Sequence, residues 1–286
     1  NDPNEIVLLD GGTGTELQAR GVEVPCHKTS IWSALALRAA PEAIVAVHRD
    51  YIEAGARVIT ACNYAVTPPL LRRENRSEEL EELTLLAVSL ARRAADESGK
   101  NVRVAASLPP LETSYRADLV PDSDTLEKEY GRMAALLAPR VEILLCETFA
   151  LGREARIAAE IACATKREVW LSWTLQGNRF GQLPSGETLE DAFAQSNDLP
   201  VDAHLVNCAA ANLITDAMPR LARISGKMFG GYANAANALP GPFNPREPED
   251  FPQQPLDEKR YADAVDEWLA AGARIVGGCC FTRPSY

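Results

Sequence analysis

Short apolar runs alternate with amphipathic helical segments from one end of this chain to the other, and that alternation restricts the fold more than any other feature. The runs are Ile6–Leu9, Arg57–Tyr64, Val102–Leu108, Val141–Thr148, Glu168–Leu175, Ala203–Cys208, Lys227–Tyr232 and Arg274–Gly278. Between them lie a short helical segment at Thr15–Arg20 and longer ones from Pro41 to Gly55, Ser77–Ser98, Asp124–Leu137, Arg153–Thr165, Leu189–Gln195, Ile214–Ile224 and Asp257–Ala271. Pro41 in a first turn and Gly55 just past an end are the expected punctuation; Ser77 reads as a cap and Gly99 as a stop. Strands and helices alternating at this period imply a parallel sheet. Eight such strands in 286 residues imply a closed (β/α)8 TIM barrel, with an open doubly wound sheet as the structural alternative. Only six residues follow Cys280, so the eighth helix is expected to be absent or incomplete. Without a linker or a low-complexity tract, residues 1–286 read as a single domain.

Composition removes several classes of function. The net charge is −11 and no basic run is present, which argues against nucleic acid as a partner. No apolar stretch approaches a membrane span, and the first residues lack the pattern of a signal peptide. Seven cysteines, an odd number scattered without framework spacing, suggest a reduced cytoplasmic protein.

Barrel enzymes place their chemistry at the C-terminal ends of the strands. Those ends carry Asp10, Asn63 with Tyr64, Glu147 with Thr148, Asn207 with Cys208, Tyr232 with Asn234, and Cys279 with Cys280. Three cysteines thus converge from the sixth and eighth strands. Three thiolates with one open position make a catalytic zinc site rather than a closed structural one. Cys279 and Cys280 are adjacent, so both can face one centre only if the backbone leaves strand geometry; Gly277 and Gly278 are expected to permit the unusual dihedrals and the close approach. The plainer alternatives are buried cysteines acting as small hydrophobes, and Asp10 as part of a polar turn. Cys26, Cys62, Cys146 and Cys163 read as structural, Cys146 because alternation turns it away from Glu147. His27, His48 and His204 all lie away from strand C-termini, which disfavours histidine-based acid–base chemistry and histidine-rich metal sites.

Three motifs in order, Leu9-Asp10-Gly11-Gly12, Val206-Asn207-Cys208 and Gly277-Gly278-Cys279-Cys280, resemble those of the homocysteine S-methyltransferase family, whose members use donors such as betaine or S-methylmethionine. Ser107-Leu108-Pro109-Pro110, Cys146-Glu147-Thr148 and Tyr232-Ala233-Asn234 are similar to that family as well. The resemblance implies that Cys208, Cys279 and Cys280 ligate Zn2+ and that Asp10 and Glu147 hold the amino group of homocysteine. It implies further that Gly11 and Gly12 bind the amino-acid end through backbone N–H groups, and that Trp32 and Tyr64 face the donor cation. Asn234 stands where some relatives supply a fourth zinc ligand. The chain departs from the family around Tyr232–Asn237 and in the tail from Phe281 to Pro284, both near the substrate mouth. The expected activity is transfer of a methyl group from a sulfonium or quaternary ammonium donor to homocysteine, giving methionine; monomer and homo-oligomer are both open. The alternatives are the same chemistry on another thiol or a selenol, and a non-catalytic zinc-binding or redox-sensing barrel.

Overall fold

The computed structural model describes residues 5–25, 30–177, 179–239 and 253–286. Cys26 and His27, and most of the proline-rich stretch expected between Leu239 and Pro255, lie outside them. The chain enters through β1 (Val7–Leu8) and α1 (Thr13–Ala19), then a 3-10 turn (Trp32–Leu35), α2 (Ala36–Ala39) and α3 (Pro41–Ala54). Next come β2 (Val58–Thr60), α4 (Pro68–Arg73), α5 (Leu80–Ser98), β3 (Arg103–Leu108), α6 (Ser123–Leu137), β4 (Ile143–Phe149) and α7 (Gly152–Ala164). They are followed by β5 (Glu168–Trp173), α8 (Leu189–Ala194), β6 (Ala203–Ala210), α9 (Ala211–Ile224) and β7 (Met228–Asn234). The last elements are β8 (Ala236–Ala238), β9 (Gln253–Pro255), α10 (Glu258–Ala270) and β10 (Ile275–Gly278).

Eight strands form one sheet in the order β1-β10-β7-β6-β5-β4-β3-β2, and every neighbouring pair is parallel. The two ends of that order meet. Leu9 bridges Val58 in parallel; the Arg57 N–H donates to the Leu8 carbonyl at 2.8 Å and the Asp10 N–H to that of Val58 at 3.1 Å. The sheet is therefore the expected barrel rather than an open, doubly wound one. β8 and β9 make a separate antiparallel pair above it, which alternation alone did not indicate.

Period-two alternation sorts the core into two layers. Leu9, Val58, Ala105, Ile143, Leu145, Trp170, Ala203, Leu205, Tyr232 and Ile275 pack together inside the barrel. Leu144, Cys146, Val206 and Val276, between them in sequence, pack outward against the helices. Glu147 continues the inward row of Ile143 and Leu145, as Ser107 continues that of Ala105 and Asn207 that of Ala203 and Leu205. Burial is thus apolar at the bottom of the barrel and polar at its top.

Several boundaries differ from the sequence reading for physical reasons. The run expected to be a strand to Tyr64 leaves the sheet after Thr60. There the Asn63 carboxamide takes over: Oδ1 accepts from the Ser107 N–H at 3.0 Å and Nδ2 donates to the Ser107 carbonyl at 2.9 Å, in place of a backbone ladder. Ser77 caps nothing; it opens a 3-10 turn, Ser77–Glu79, that leads into α5, whose stop at Gly99 (φ +65°) is as expected. No helix follows β10 among the described residues. Instead the tail folds back: Tyr286 packs edge-on against Tyr261, and Arg283 pairs with Glu16 at 3.0 Å. No described helix is long and apolar enough to cross a membrane.

Gly230 on β7 is a tight point of the barrel wall. A Cβ there would overlap the Ile275 carbonyl oxygen on β10, a backbone atom held in the sheet. Gly230→Ala is expected to destabilise the protein by about 3 kcal/mol or more, in the range of severe overpacking. A thermal melt should show it as a fall in Tm of roughly 6 °C or more. An unchanged Tm would mean that the wall yields where the packing says it cannot.

Candidate metal and substrate site

A cavity of about 160 Å³ opens at the C-terminal end of the barrel. Asp10, Gly11, Gly12, Trp32, Tyr64, Glu147, Cys208, Cys279 and Cys280, all named from the sequence, line it. The side-chain sulfurs of Cys208, Cys279 and Cys280 all lie within 4.8 Å of one another, with Cys208 and Cys280 3.8 Å apart. Tetrahedral zinc with Zn–S bonds of about 2.3 Å sets its sulfurs about 3.8 Å apart, so the three thiols suit such an ion.

Two local distortions bring the sulfurs together. On β6, alternation would turn Cys208 outward, opposite to Asn207. The register against β7 slips between Asn207 and Ala210, Cys208 adopts φ +51°, and its thiol reaches the cavity. A β-bulge re-aims side chains in this way. At the other strand, Gly277 and Gly278 do not take left-handed dihedrals, so that part of the expectation is corrected. Their role is close approach: a Cβ on Gly277 would sit 2.5 Å from the Leu9 Cβ, and one on Gly278 would overlap the Thr282 side chain. The sharp turn comes later, at Phe281 (φ +65°).

The three thiols share charge unequally. Hydrogen bonds from Cys208 and Cys279 pull the Cys280 thiol well below its ordinary pKa. Cys279 is pushed well up by its bonds to Cys208 and Cys280 and by burial. For Cys208 the bond to Cys279 pulls down, but the bond to Cys280 and burial outweigh it and the thiol rises. One sulfur anion is thus stabilised by two neutral neighbours, and a cation is needed before all three can ionise.

Two buried carboxylates flank the sulfurs. Asp10 accepts the Thr60 N–H at 2.7 Å and the Thr60 hydroxyl at 3.3 Å; burial pushes it up to about 7 against the Thr60 amide bond, with the field of Glu147 adding to the rise. Glu147 accepts hydrogen bonds from the hydroxyls of Ser107 and Tyr232 (the latter at 2.8 Å) and from the Asn207 carboxamide at 3.3 Å. Burial pushes it too up to about 7, although the Ser107 and Tyr232 bonds hold it down. A nearby cation would relieve the cost of keeping these acidic groups charged.

Asn207 explains how Glu147 is held. Its Oδ1 accepts from the Thr148 N–H (2.9 Å) and the Ser172 hydroxyl (2.6 Å), while Nδ2 donates to Thr148 Oγ1 (2.8 Å). Thr148 stands at φ +65° beside the register slip in β4, so the carboxamide clamps the bulge that ends the strand.

Trp32 (φ +43°) lies over Gly14, where a Cβ would overlap its ring, and Tyr64 bonds Ser114 at 2.8 Å. Asn234 does not line the cavity; its Oδ1 accepts the Cys280 N–H at 3.2 Å, which fixes the cysteine turn. The Gly12 N–H donates to Thr282 Oγ1 at 3.3 Å, so it already has a partner. Cys62 also lines the cavity, although the sequence reading made it structural; it is buried there, its thiol pushed up to about 11 mainly by burial. Cys146 packs outward as expected, and Cys163 is a partly buried free thiol. His48 is fully buried and His204 bonds Ser225 at 2.8 Å, both away from the mouth. Sequence reasoning missed Ser107 as a partner of Glu147, the clamp at Asn207, and Tyr115, whose hydroxyl lies 2.9 Å from Cys208 Sγ. Ser107 and Asn207 were legible as inward positions at strand ends; Tyr115 sits in a loop and carried no signal.

Residues 7–286 match the family model described as homocysteine S-methyltransferase. The chain belongs to the homocysteine S-methyltransferase family. It is 31% identical to the homocysteine S-methyltransferase of Escherichia coli, over 99% of this chain and 94% of that protein. It is 28% identical to a selenocysteine methyltransferase of Astragalus bisulcatus, over 97% of this chain and 89% of that protein. A metallated form of the homocysteine methyltransferase MmuM from Escherichia coli superposes with a TM-score of 0.81 at 29% identity, covering 98% of this chain and 93% of that one. The chain is accordingly an enzyme of the methyltransferase class, and its cysteine cluster is suited to a metal.

Proposed function

We propose that this methyltransferase is zinc-dependent and moves a methyl group from a sulfonium or quaternary ammonium donor to the thiol of L-homocysteine, giving methionine. The observation that carries the reading is a single cavity in which three sulfurs from β6 and the end of β10 face two buried carboxylates. Zinc bound by Cys208, Cys279 and Cys280 would lower the pKa of an arriving thiol so that it reacts as the anion at neutral pH.

The chain's own residues do the rest. Asp10 and Glu147, locked by Thr60, Ser107, Tyr232 and Asn207, receive the substrate ammonium and thereby set where its sulfur reaches. The Gly11–Gly12 turn packs against Tyr51, Thr282 and the Cys279 carbonyl with no room for a side chain; with the Gly12 N–H engaged by Thr282, we assign it to shaping the cavity wall rather than to an anion nest. Trp32 and Tyr64 offer ring faces to the onium methyl. Among the described residues lining the cavity, the ionisable side chains are carboxyls, thiols and phenols, a lining that favours a cationic donor. As the new C–S bond forms, the donor's C–S or C–N bond breaks and its electron pair leaves with a group that has lost its positive charge. No general acid is required, in keeping with histidines that lie away from the mouth.

We place the enzyme in the cytoplasm on its odd number of cysteines, scattered without framework spacing. Zinc-loaded protein should form methionine from homocysteine with at least one of betaine, S-methylmethionine, S-adenosylmethionine and dimethylsulfoniopropionate, and the preferred donor gives the enzyme its specific name. Failure with all four while zinc stays bound would sink the homocysteine reading and favour a selenol or another thiol as acceptor.

A further inference from the structure

Tyr115 is the one tyrosine among the described residues whose hydroxyl is bonded to a sulfur of the cysteine cluster. It stands in the loop between β3 and α6 with φ +65°, a left-handed backbone that strains a residue with a Cβ. Its hydroxyl lies 2.8 Å from the Cys208 carbonyl oxygen and 2.9 Å from Cys208 Sγ. Cys208, at the bulge in β6, is itself left-handed, so one oxygen latches a strained loop residue to a strained strand residue.

That oxygen carries a single proton, and the two contacts cannot both use it. The carbonyl oxygen and the sulfur of Cys208 therefore compete for it. A metal ligand is a thiolate. The S–H is then gone, and the phenol is the donor that faces the sulfur. The carbonyl keeps a partner when the phenol turns, because Thr174 Oγ1 donates to it at 3.3 Å.

We infer that Tyr115 is a positioning residue of the metal site: its hydroxyl fixes the Cys208 side chain and donates a hydrogen bond to the ligating sulfur. The inference rests on the metal site proposed above. Such a bond would draw charge off Cys208 and so strengthen the Lewis acidity that a bound ion would supply toward the incoming thiol. It also makes Cys208 a poorer nucleophile, so that the donor's methyl is steered to the substrate and away from the enzyme's own ligand.

The test uses Co2+ in place of Zn2+, because thiolate-to-cobalt charge-transfer bands report the charge on the sulfur. Tyr115→Phe should bind metal about 10- to 100-fold more weakly in a chelator competition, the usual effect of losing a hydrogen bond to a ligand. Its charge-transfer band should move to longer wavelength with the far-UV circular dichroism unchanged. Placing 3,5-difluorotyrosine at position 115 strengthens the donor without changing its shape, and should move the band to shorter wavelength. That second protein keeps the test decisive if Tyr115→Phe does not fold. Unchanged affinity in Tyr115→Phe, or a band that stays put in the fluorinated protein, overturns the role of Tyr115 alone. A parent protein that binds no metal overturns the metal reading and this inference with it.

Discussion

Cys208→Ala is expected to remove bound metal and methyl transfer together. Two thiolates remain, on adjacent residues of one turn, and they lack the third ligand that β6 contributes from across the barrel mouth. Activity should fall by roughly 10⁴-fold or more, the scale seen when an essential member of a catalytic group is lost. Metal content by mass spectrometry should fall from about one ion per chain to near background. The fold should survive, since trimming a small side chain at the cavity edge costs on the order of 1 kcal/mol. This separates the enzyme from a redox-sensing barrel, in which Cys279 and Cys280 would pair without metal and without help from Cys208. Wild-type turnover in the variant would end the three-sulfur reading.

Glu147→Gln is expected to leave metal content intact and to weaken homocysteine binding. Removing the charge facing a buried ammonium costs about 2–4 kcal/mol, or roughly 30- to 1000-fold in kcat/KM. The pH dependence sharpens the test. In the free protein burial holds both Asp10 and Glu147 up to about 7, so below that pH the amino acid must displace protons to find its anions. Affinity should therefore rise with pH up to about 7 and level off above it. The Gln variant, with one titrating group fewer, should show a shallower rise; methionine is the cleaner probe because it has no thiol to ionise. Loss of the metal in Glu147→Gln, or a steeper pH dependence, would contradict the division of roles between carboxylates and sulfurs.

Much of the site was legible because its residues follow simple periodicities. The inward row Ile143, Leu145, Glu147 is fixed by alternation, and the position of Glu147 at a strand end places it at the barrel mouth. Cys279 and Cys280 were marked by the two glycines before them, although the glycines work by letting Leu9 and Thr282 come close rather than by unusual dihedrals. Cys208 was named from its place at the end of a strand, but strict alternation would have sent it outward.

What the sequence determined by itself is the order of strands and helices, the barrel they close into, and the chemical inventory carried at the strand ends. These depend on period, length and residue type along one stretch of chain. The tertiary structure alone decided the left-handed turns at Thr148 and Cys208, the Asn207 clamp across β4 and β6, the Asn63 carboxamide in place of a strand end, and the latch of Tyr115 on Cys208. The three side-chain contacts join residues 44 to 93 positions apart, and a polar side chain's partner across such a distance is set by where the closed barrel brings strands and loops together, not by the residues beside it.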